Sequence, residues 1–323
     1  MKLQDLSNKV ISGNRRALAK AITLIESTLD SDRTEAHTLM KEILPHAGKA
    51  LRIGISGIPG VGKSSFIEVL GLELIKKGHK VAVLAVDPSS PISGGSILGD
   101  KTRMEELSQN DSAFIRPSPT TGSLGGVAAK TRESIYLCEA NGYDIVLIET
   151  VGVGQSEYEV ASMVDLFMVL MVPNAGDELQ GIKKGIIELS DMLIINKADG
   201  DTLVLAENAR TQYQNALHII KKDKFWSPLV LTCSSLQKTG LPKIIDSIFD
   251  FQNESKKSGF FEDNRKRQIQ RWLKSLFQSE LDHYIKNDLE LKKKLTSSET
   301  KVVNGEISAS QGAKEMLNYL LNH

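Results

Sequence analysis

From residue 51 to about 250 the chain alternates short apolar runs with longer amphipathic stretches. The runs are RIGIS, KVAVLAVD, SAFIRP, YDIVLIET, DLFMVLMVP, DMLIINKAD and PLVLTCSS. Short, nearly continuous Val/Ile/Leu segments separated by helical stretches predict strands buried on both faces of a mainly parallel sheet, flanked by helices. The first fifty residues carry a different period. Leu18, Ile22, Ile25 and Leu29 share one helical face, and Ala36, Leu39, Met40 and Ile43 share another. DRTE, Asp32 to Glu35, reads as a capping box for the second of these helices. After Phe251, QNESKKSG reads as a linker, and the remainder is charged and helical. There Ile269, Trp272, Leu273, Leu276, Phe277 and Tyr284 stand near helical spacing, an apolar stripe with little core of its own. The expected organisation is an α/β domain over 51–251, an N-terminal helical extension over 1–50, and a C-terminal helical arm over 252–323. The arm is expected to pack on the main domain or on a second copy of itself.

Composition narrows the classes. Forty basic residues balance forty acidic ones, which gives no global attraction to nucleic acid. The two cysteines, Cys138 and Cys233, lie far apart without a CxxC, and the six histidines form no HxH or HxxxH pair. That spacing argues against a disulfide framework and a thiolate metal site. No apolar run approaches the roughly 18 residues that span a bilayer. The N-terminus MKLQDLSNKV is too polar for a signal peptide. A soluble, cytoplasmic protein without a membrane or nucleic-acid partner is expected.

The chemistry begins at GIPGVGKSS, residues 57 to 65, between an apolar run and a helical stretch. Gly57-x4-Gly62-Lys63-Ser64 is the P-loop pattern in its required strand–loop–helix setting. Gly57, Ile58, Pro59, Gly60, Val61 and Gly62 would curl so that their N–H groups meet phosphate oxygens, and the helix start adds partial positive charge. Lys63 is expected at the β- and γ-phosphates, Ser64 on Mg²⁺ and Ser65 at the α-phosphate. NKAD, Asn196 to Asp199, follows the strand MLIIN, where a base-reading loop belongs. The Asp199 carboxylate can accept from guanine N1–H and the 2-amino group, both absent from adenine. Lys197 would lie along the base and Asn196 would tie loops together. One strand later, TCSSLQKTG places Ser234, Ser235 and Leu236 where a backbone N–H reaches guanine O6. These elements together favour GTP and GDP over adenine nucleotides.

Further segments carry candidate catalytic groups. Asp87, in VDPSS at the end of the second strand, is either a Mg²⁺ or water ligand or a solvated turn aspartate. Asp100 stands in GGSILGDKTRM, as a catalytic candidate or an N-cap. LIETVGVGQSE offers Glu149 for the metal and the Gly152 N–H for the γ-phosphate, an arrangement that loses a contact on hydrolysis and so can switch. Gln155 either positions water or faces solvent. NAGDELQGIKKG, 174 to 185, has Asp177, Glu178, Gln180, Lys183 and Lys184 on a glycine-bounded segment, which by itself reads as a loop leading into a solvated helix.

Taken together, GIPGVGKSSFIE, AVDPSSPISGGSILGDKTRM, FIRPSPTTGSLGGVA, YDIVLIETVGVGQSE, AGDELQGIKKGI and NKADGD closely resemble the MeaB/ArgK family, over about residues 34 to 250. ETVGVGQSE together with AGDELQGIKKG is far more specific than the P-loop. The resemblance implies a P-loop GTPase that serves as a chaperone of adenosylcobalamin-dependent methylmalonyl-CoA mutase, gates cofactor delivery, and protects or rescues the mutase. It also implies weak hydrolysis alone, stimulation by the partner, and a homodimer formed through the C-terminal arm. By that likeness residues 174 to 185 become a third switch with Asp177, Gln180 and Lys183 as its working residues. Lys183 would then stabilise transferred charge when the partner docks. Asn174 stands where a small residue is expected, and beyond residue 252 the likeness is one of character only. Rival readings are a chaperone of another cobalamin acyl-CoA mutase, a nickel-type metallochaperone GTPase, a kinase of amino-acid-binding proteins, and a scaffold that merely holds nucleotide. The metallochaperone lacks its Cys/His motif, the kinase sits poorly with guanine-reading loops, and the scaffold with intact Lys63, Ser64, Asp87 and Glu149.

Overall fold

The computed structural model describes residues 3–27, 29–86, 104–117, 124–150, 156–173, 184–220 and 225–321. The expected Asp87, Asp100, Gly152, Gln155, Asn174, Asp177, Gln180 and Lys183 lie outside these. Two compact units are present, Met1–Lys266 and Arg267–His323. In the first, helices α1 (Leu3–Ile11), α2 (Arg15–Glu26) and α3 (Asp30–Ile43) precede β1 (Leu51–Gly57). There follow α4 (Lys63–Lys76), β2 (Val81–Val86), α5 (Glu105–Gln109), β3 (Ala113–Arg116), α6 (Leu124–Ala140), β4 (Ile145–Thr150), α7 (Ser156–Ala161) and β5 (Leu166–Met171). The unit continues with α8 (Lys184–Leu189), β6 (Met192–Ile195), α9 (Leu203–Ile220), β7 (Leu229–Thr232) and α10 (Leu241–Lys257). Helix α11 (Phe260–Asn287) crosses the unit boundary, and α12 (Leu289–Val303) and α13 (Ala309–Leu321) complete the chain.

The seven strands form one sheet in the order β3-β2-β4-β1-β5-β6-β7, and every pairing is parallel. Alternating side chains divide each strand between two cores. On β2, Ala82, Leu84 and Val86 join the core that includes α2, α3 and α6, while Val81 and Val83 join the core beneath α4 and α10. Burial on both faces is why the runs read as continuous apolar segments instead of alternating ones.

Local chemistry differs from expectation at two places. Helix α3 starts at Asp30, ahead of DRTE, and its N-cap position is Leu29 without a side-chain cap. A side-chain cap is instead present on α2, where the Asn14 side chain accepts from the Ala17 N–H at 2.9 Å. The stretch read as a linker continues α10 as helix through Lys257, and the turn comes at Ser258 and Gly259, where φ is 72°.

An ion network fixes the amino-terminal edge of the sheet, opposite the strand ends that carry the P-loop. Arg52 Nε and Nη2 donate to the two Glu139 oxygens at 2.8 and 3.0 Å, and both side chains are nearly or fully buried. Burial alone lowers the Arg52 pKa, but the Glu139 carboxylate more than offsets this, so the guanidinium is held above its usual value. Asp165 accepts from the Arg52 N–H at 2.8 Å and from Arg265 Nε at 2.8 Å. Arg265 also donates to the Gly48 carbonyl at 2.6 Å, which ties the first turns of α11 to the segment before β1. Removing one member of such a pair strands a buried charge, at a cost of about 3–5 kcal/mol. Glu139→Ala is therefore expected to lower the melting temperature by about 10 °C. A shift under about 2 °C in calorimetry would show that the pair contributes little.

Candidate nucleotide site

The carboxyl ends of parallel strands are where an open α/β sheet gathers ligands, and here β1, β4, β6 and β7 bring their motifs to that edge. The chain leaves β1 at Gly57, turns through Ile58, Pro59 and Gly60, buries Val61 and starts α4 at Lys63. Two glycines are required by contact as well as by φ. A Cβ on Gly57, at φ 152°, would stand 2.6 Å from the Leu170 carbonyl oxygen. One on Gly62, at φ 92°, would stand 2.8 Å from Asn196 Nδ2. That space lets the Asn196 side chain cross to the P-loop, where Nδ2 donates to the Val61 carbonyl at 2.9 Å.

Asn196 is 1% exposed and its Oδ1 accepts from the Ser235 hydroxyl at 2.9 Å and the Ser235 N–H at 3.2 Å. One amide thus joins the loops after β1, β6 and β7. Lys197 adopts φ 57°, a left-handed conformation uncommon for a residue with a side chain. Asp199 follows as the cap of a short 3-10 turn, its carboxylate accepting from the Thr202 backbone N–H. The Ser234 hydroxyl also donates to Asp199 Oδ2, while the Ser234 N–H donates to the Thr239 carbonyl at 3.2 Å. The carboxylate is held on one side by these partners.

At the other end, Lys63 Nζ donates to the Gly57 carbonyl at 2.8 Å and the Ile58 carbonyl at 3.3 Å. Burial lowers the Lys63 pKa, and the nearby Glu149 and Glu157 carboxylates pull it back up. The Ser64 hydroxyl donates to Glu149 Oε1 at 3.2 Å, and Glu149, at the end of β4, is 4% exposed. A serine hydroxyl beside a buried carboxylate is an oxygen donor set suited to Mg²⁺, which takes one or two carboxylates and leaves other positions to phosphate and water. Among the described residues no group of three or more His, Cys, Asp and Glu side chains could hold a metal unaided.

Beside Gly62 and the base-reading loops lies a cavity of about 530 Å³. Gly62 and Ser65 line it on the P-loop side, and Asn196, Lys197, Asp199, Ser235 and Leu236 on the other. Of the expected P-loop residues Gly62 and Ser65 line it, and of the expected base-loop residues all but Ser234 do, with Leu236 84% exposed. Glu68, Val69, Leu72, Glu106, Thr202 and Lys238 also line the cavity and were not among the sequence candidates. Glu68, Val69 and Leu72 follow Ser65 at spacings of three, four and seven, so helical periodicity could have flagged them. Glu106 and Lys238 carried no such signal.

The family model "Methylmalonyl Co-A mutase-associated GTPase MeaB" matches residues 18–290. The Escherichia coli protein described as GTPase ArgK is 48% identical over 288 residues, 88% of this chain and 87% of its own. A mouse protein, "Methylmalonic aciduria type A homolog, mitochondrial", is 45% identical over 319 residues, 95% of this chain and 77% of its own. A crystal structure described as LAO/AO transport system kinase superposes with a TM-score of 0.80 at 37% identity, covering 99% of this chain and 97% of that one. No described helix is long and apolar enough to cross a membrane.

Proposed function

The chain belongs to the family of methylmalonyl-CoA mutase-associated GTPases, and from that premise we propose that it is a Mg²⁺-dependent GTPase chaperone of an adenosylcobalamin-dependent methylmalonyl-CoA mutase. In this reading it gates cofactor loading and protects or rescues the mutase. The observation that carries the guanine-nucleotide part is the Asn196 side chain, which joins the P-loop to the loop bearing Asp199 across a single cavity.

Each residue then has a task. The backbone from Gly57 to Gly62 cradles phosphate, Lys63 neutralises the β- and γ-phosphates, and Ser65 meets the α-phosphate. Ser64 and Glu149, with Asp87, hold Mg²⁺, which supplies charge neutralisation at the phosphates when bound. Asp199 reads guanine N1–H and its 2-amino group, and the backbone from Ser234 to Leu236 closes the end where O6 falls. The contacts of the carboxylate support this, since Ser234 and Thr202 hold Asp199 in place. Gly152 senses the terminal phosphate, Asp100 serves the same chemistry, and Asp177, Gln180 and Lys183 relay nucleotide state to the mutase. A partner that binds the two nucleotide states unequally shifts the loops by that difference and no more. The arm is the proposed dimer contact. Ile269, Leu273 and Phe277 recur every four residues along α11 and are each at least half exposed.

The test is GTP hydrolysis with and without purified mutase, together with binding in GDP and in a non-hydrolysable GTP analogue. Saturating mutase is expected to raise turnover at least tenfold, about 1.4 kcal/mol of barrier, and to bind the two states with different affinities. Unchanged turnover and equal affinities would overturn the proposal.

A further inference from the structure

Gly62 and Ser65 of the P-loop and the base-reading residues line part of the cavity, which leaves another of its walls unassigned. That wall is one face of α4, which presents Ser65, Glu68, Val69 and Leu72. Glu68 lies one helical turn beyond Ser65, about 4.5 Å along the axis at 1.5 Å per residue. The only part of a nucleoside triphosphate between the α-phosphate and the base is the ribose, whose 2′- and 3′-hydroxyls are hydrogen-bond donors.

Glu68 is equipped to accept from them. Its Oε1 takes the Glu106 N–H at 2.9 Å, which anchors the carboxylate to the start of α5. An ionised carboxylate has about four acceptor positions, so one backbone donor leaves most of its capacity unused. Among the described residues no cation forms an ion pair with it. Glutamate and aspartate also take ribose hydroxyls in dinucleotide-binding folds, for the same chemical reason.

We propose that Glu68 accepts a hydrogen bond from the ribose hydroxyl pair of the bound guanine nucleotide and thereby sets the preference for ribo- over deoxyribonucleotide. This rests on the guanine-nucleotide reading of the site. Hydroxyl donors to a charged acceptor give stronger bonds than neutral pairs, and a missing hydroxyl leaves that acceptor position of the carboxylate unfilled. Discrimination of about tenfold is the scale expected.

The experiment measures dissociation constants for GTP, 2′-deoxyGTP and 3′-deoxyGTP with the full chain, in wild type, Glu68→Ala and Glu68→Gln. Wild type is expected to bind GTP about tenfold more tightly than at least one deoxy analogue. Glu68→Ala is expected to bring that ratio to within twofold of unity by weakening GTP while leaving the deoxy analogue nearly unchanged. Glu68→Gln, which keeps an acceptor for the Glu106 N–H but loses the charge, is expected to fall between. Equal weakening of all three ligands by Glu68→Ala, or an absence of discrimination in wild type, overturns the assignment. Failure of wild type to bind any of the three overturns the guanine reading itself, so the two claims fail by different results.

Discussion

Asp199→Asn is expected to weaken GTP at least a hundredfold and to strengthen xanthosine triphosphate, inverting the order of the two. Guanine offers two adjacent donors, N1–H and the 2-amino group, and a carboxylate accepts both. An asparagine amide offers one acceptor and one donor, which opposes the 2-amino group but matches xanthine, where a carbonyl replaces it. Two charge-assisted bonds weakened or lost amount to about 3 kcal/mol, or two decades in affinity. The substitution is small, and the amide oxygen can still accept from Ser234 or Thr202, which brace the carboxylate now. Competition titrations with both nucleotides check this, with the melting temperature as a control for folding. An unchanged order of the two ligands would mean that Asp199 does not face the base.

Lys63→Ala is expected to slow single-turnover GTP hydrolysis by about 10²–10³. The ammonium is placed by its bonds to the Gly57 and Ile58 carbonyls, at the start of α4. Its partial burial lowers its pKa, so the charged form is costly to keep unless anions face it; Glu149 and Glu157 provide some of that compensation. In the proposed reading a triphosphate provides the rest. Charge that develops on the transferred group strengthens this contact in the transition state, and only such strengthening accelerates the chemical step. Rapid-quench measurement of one turnover, at enzyme concentrations above the altered dissociation constant, separates this from lost affinity. A loss below tenfold would remove Lys63 from the catalytic step.

All seven strands were legible because a strand buried on both faces leaves a compact apolar signature, as YDIVLIET does for Ile145–Thr150. The P-loop was legible for a different reason: a glycine is needed where φ is positive and a backbone or side chain passes within 3 Å, as at Gly57 and Gly62. Spacing exposes such positions. The capping box of α3 was misassigned because Ser, Thr, Asp and Asn recur near any helix start, and geometry alone decides which of them bonds. The linker after Phe251 was misread for a similar reason. QNESKK is polar, but polarity marks solvent exposure as readily as it marks a break in a helix, and Glu254 and Lys257 pair at 2.8 Å on the helix surface. The ion network of Arg52, Glu139, Asp165 and Arg265 had no sequence signal at all. Its bonded pairs are 87 to 113 residues apart, so only the tertiary fold brings them together. Glu68 was hidden because a glutamate on a helix ordinarily faces solvent, and here the fold sets a cavity in front of it.

In the proposed reading guanine recognition underlies every later step, because a partner can read the terminal phosphate only in a nucleotide that the pocket selects. Calorimetric titration of the wild-type chain with GTP and with ATP, both in excess Mg²⁺, tests it most directly. At least a hundredfold tighter binding of GTP is the expected result, the scale of two bonds to a charged acceptor. Equal affinities, or tighter binding of ATP, would contradict it.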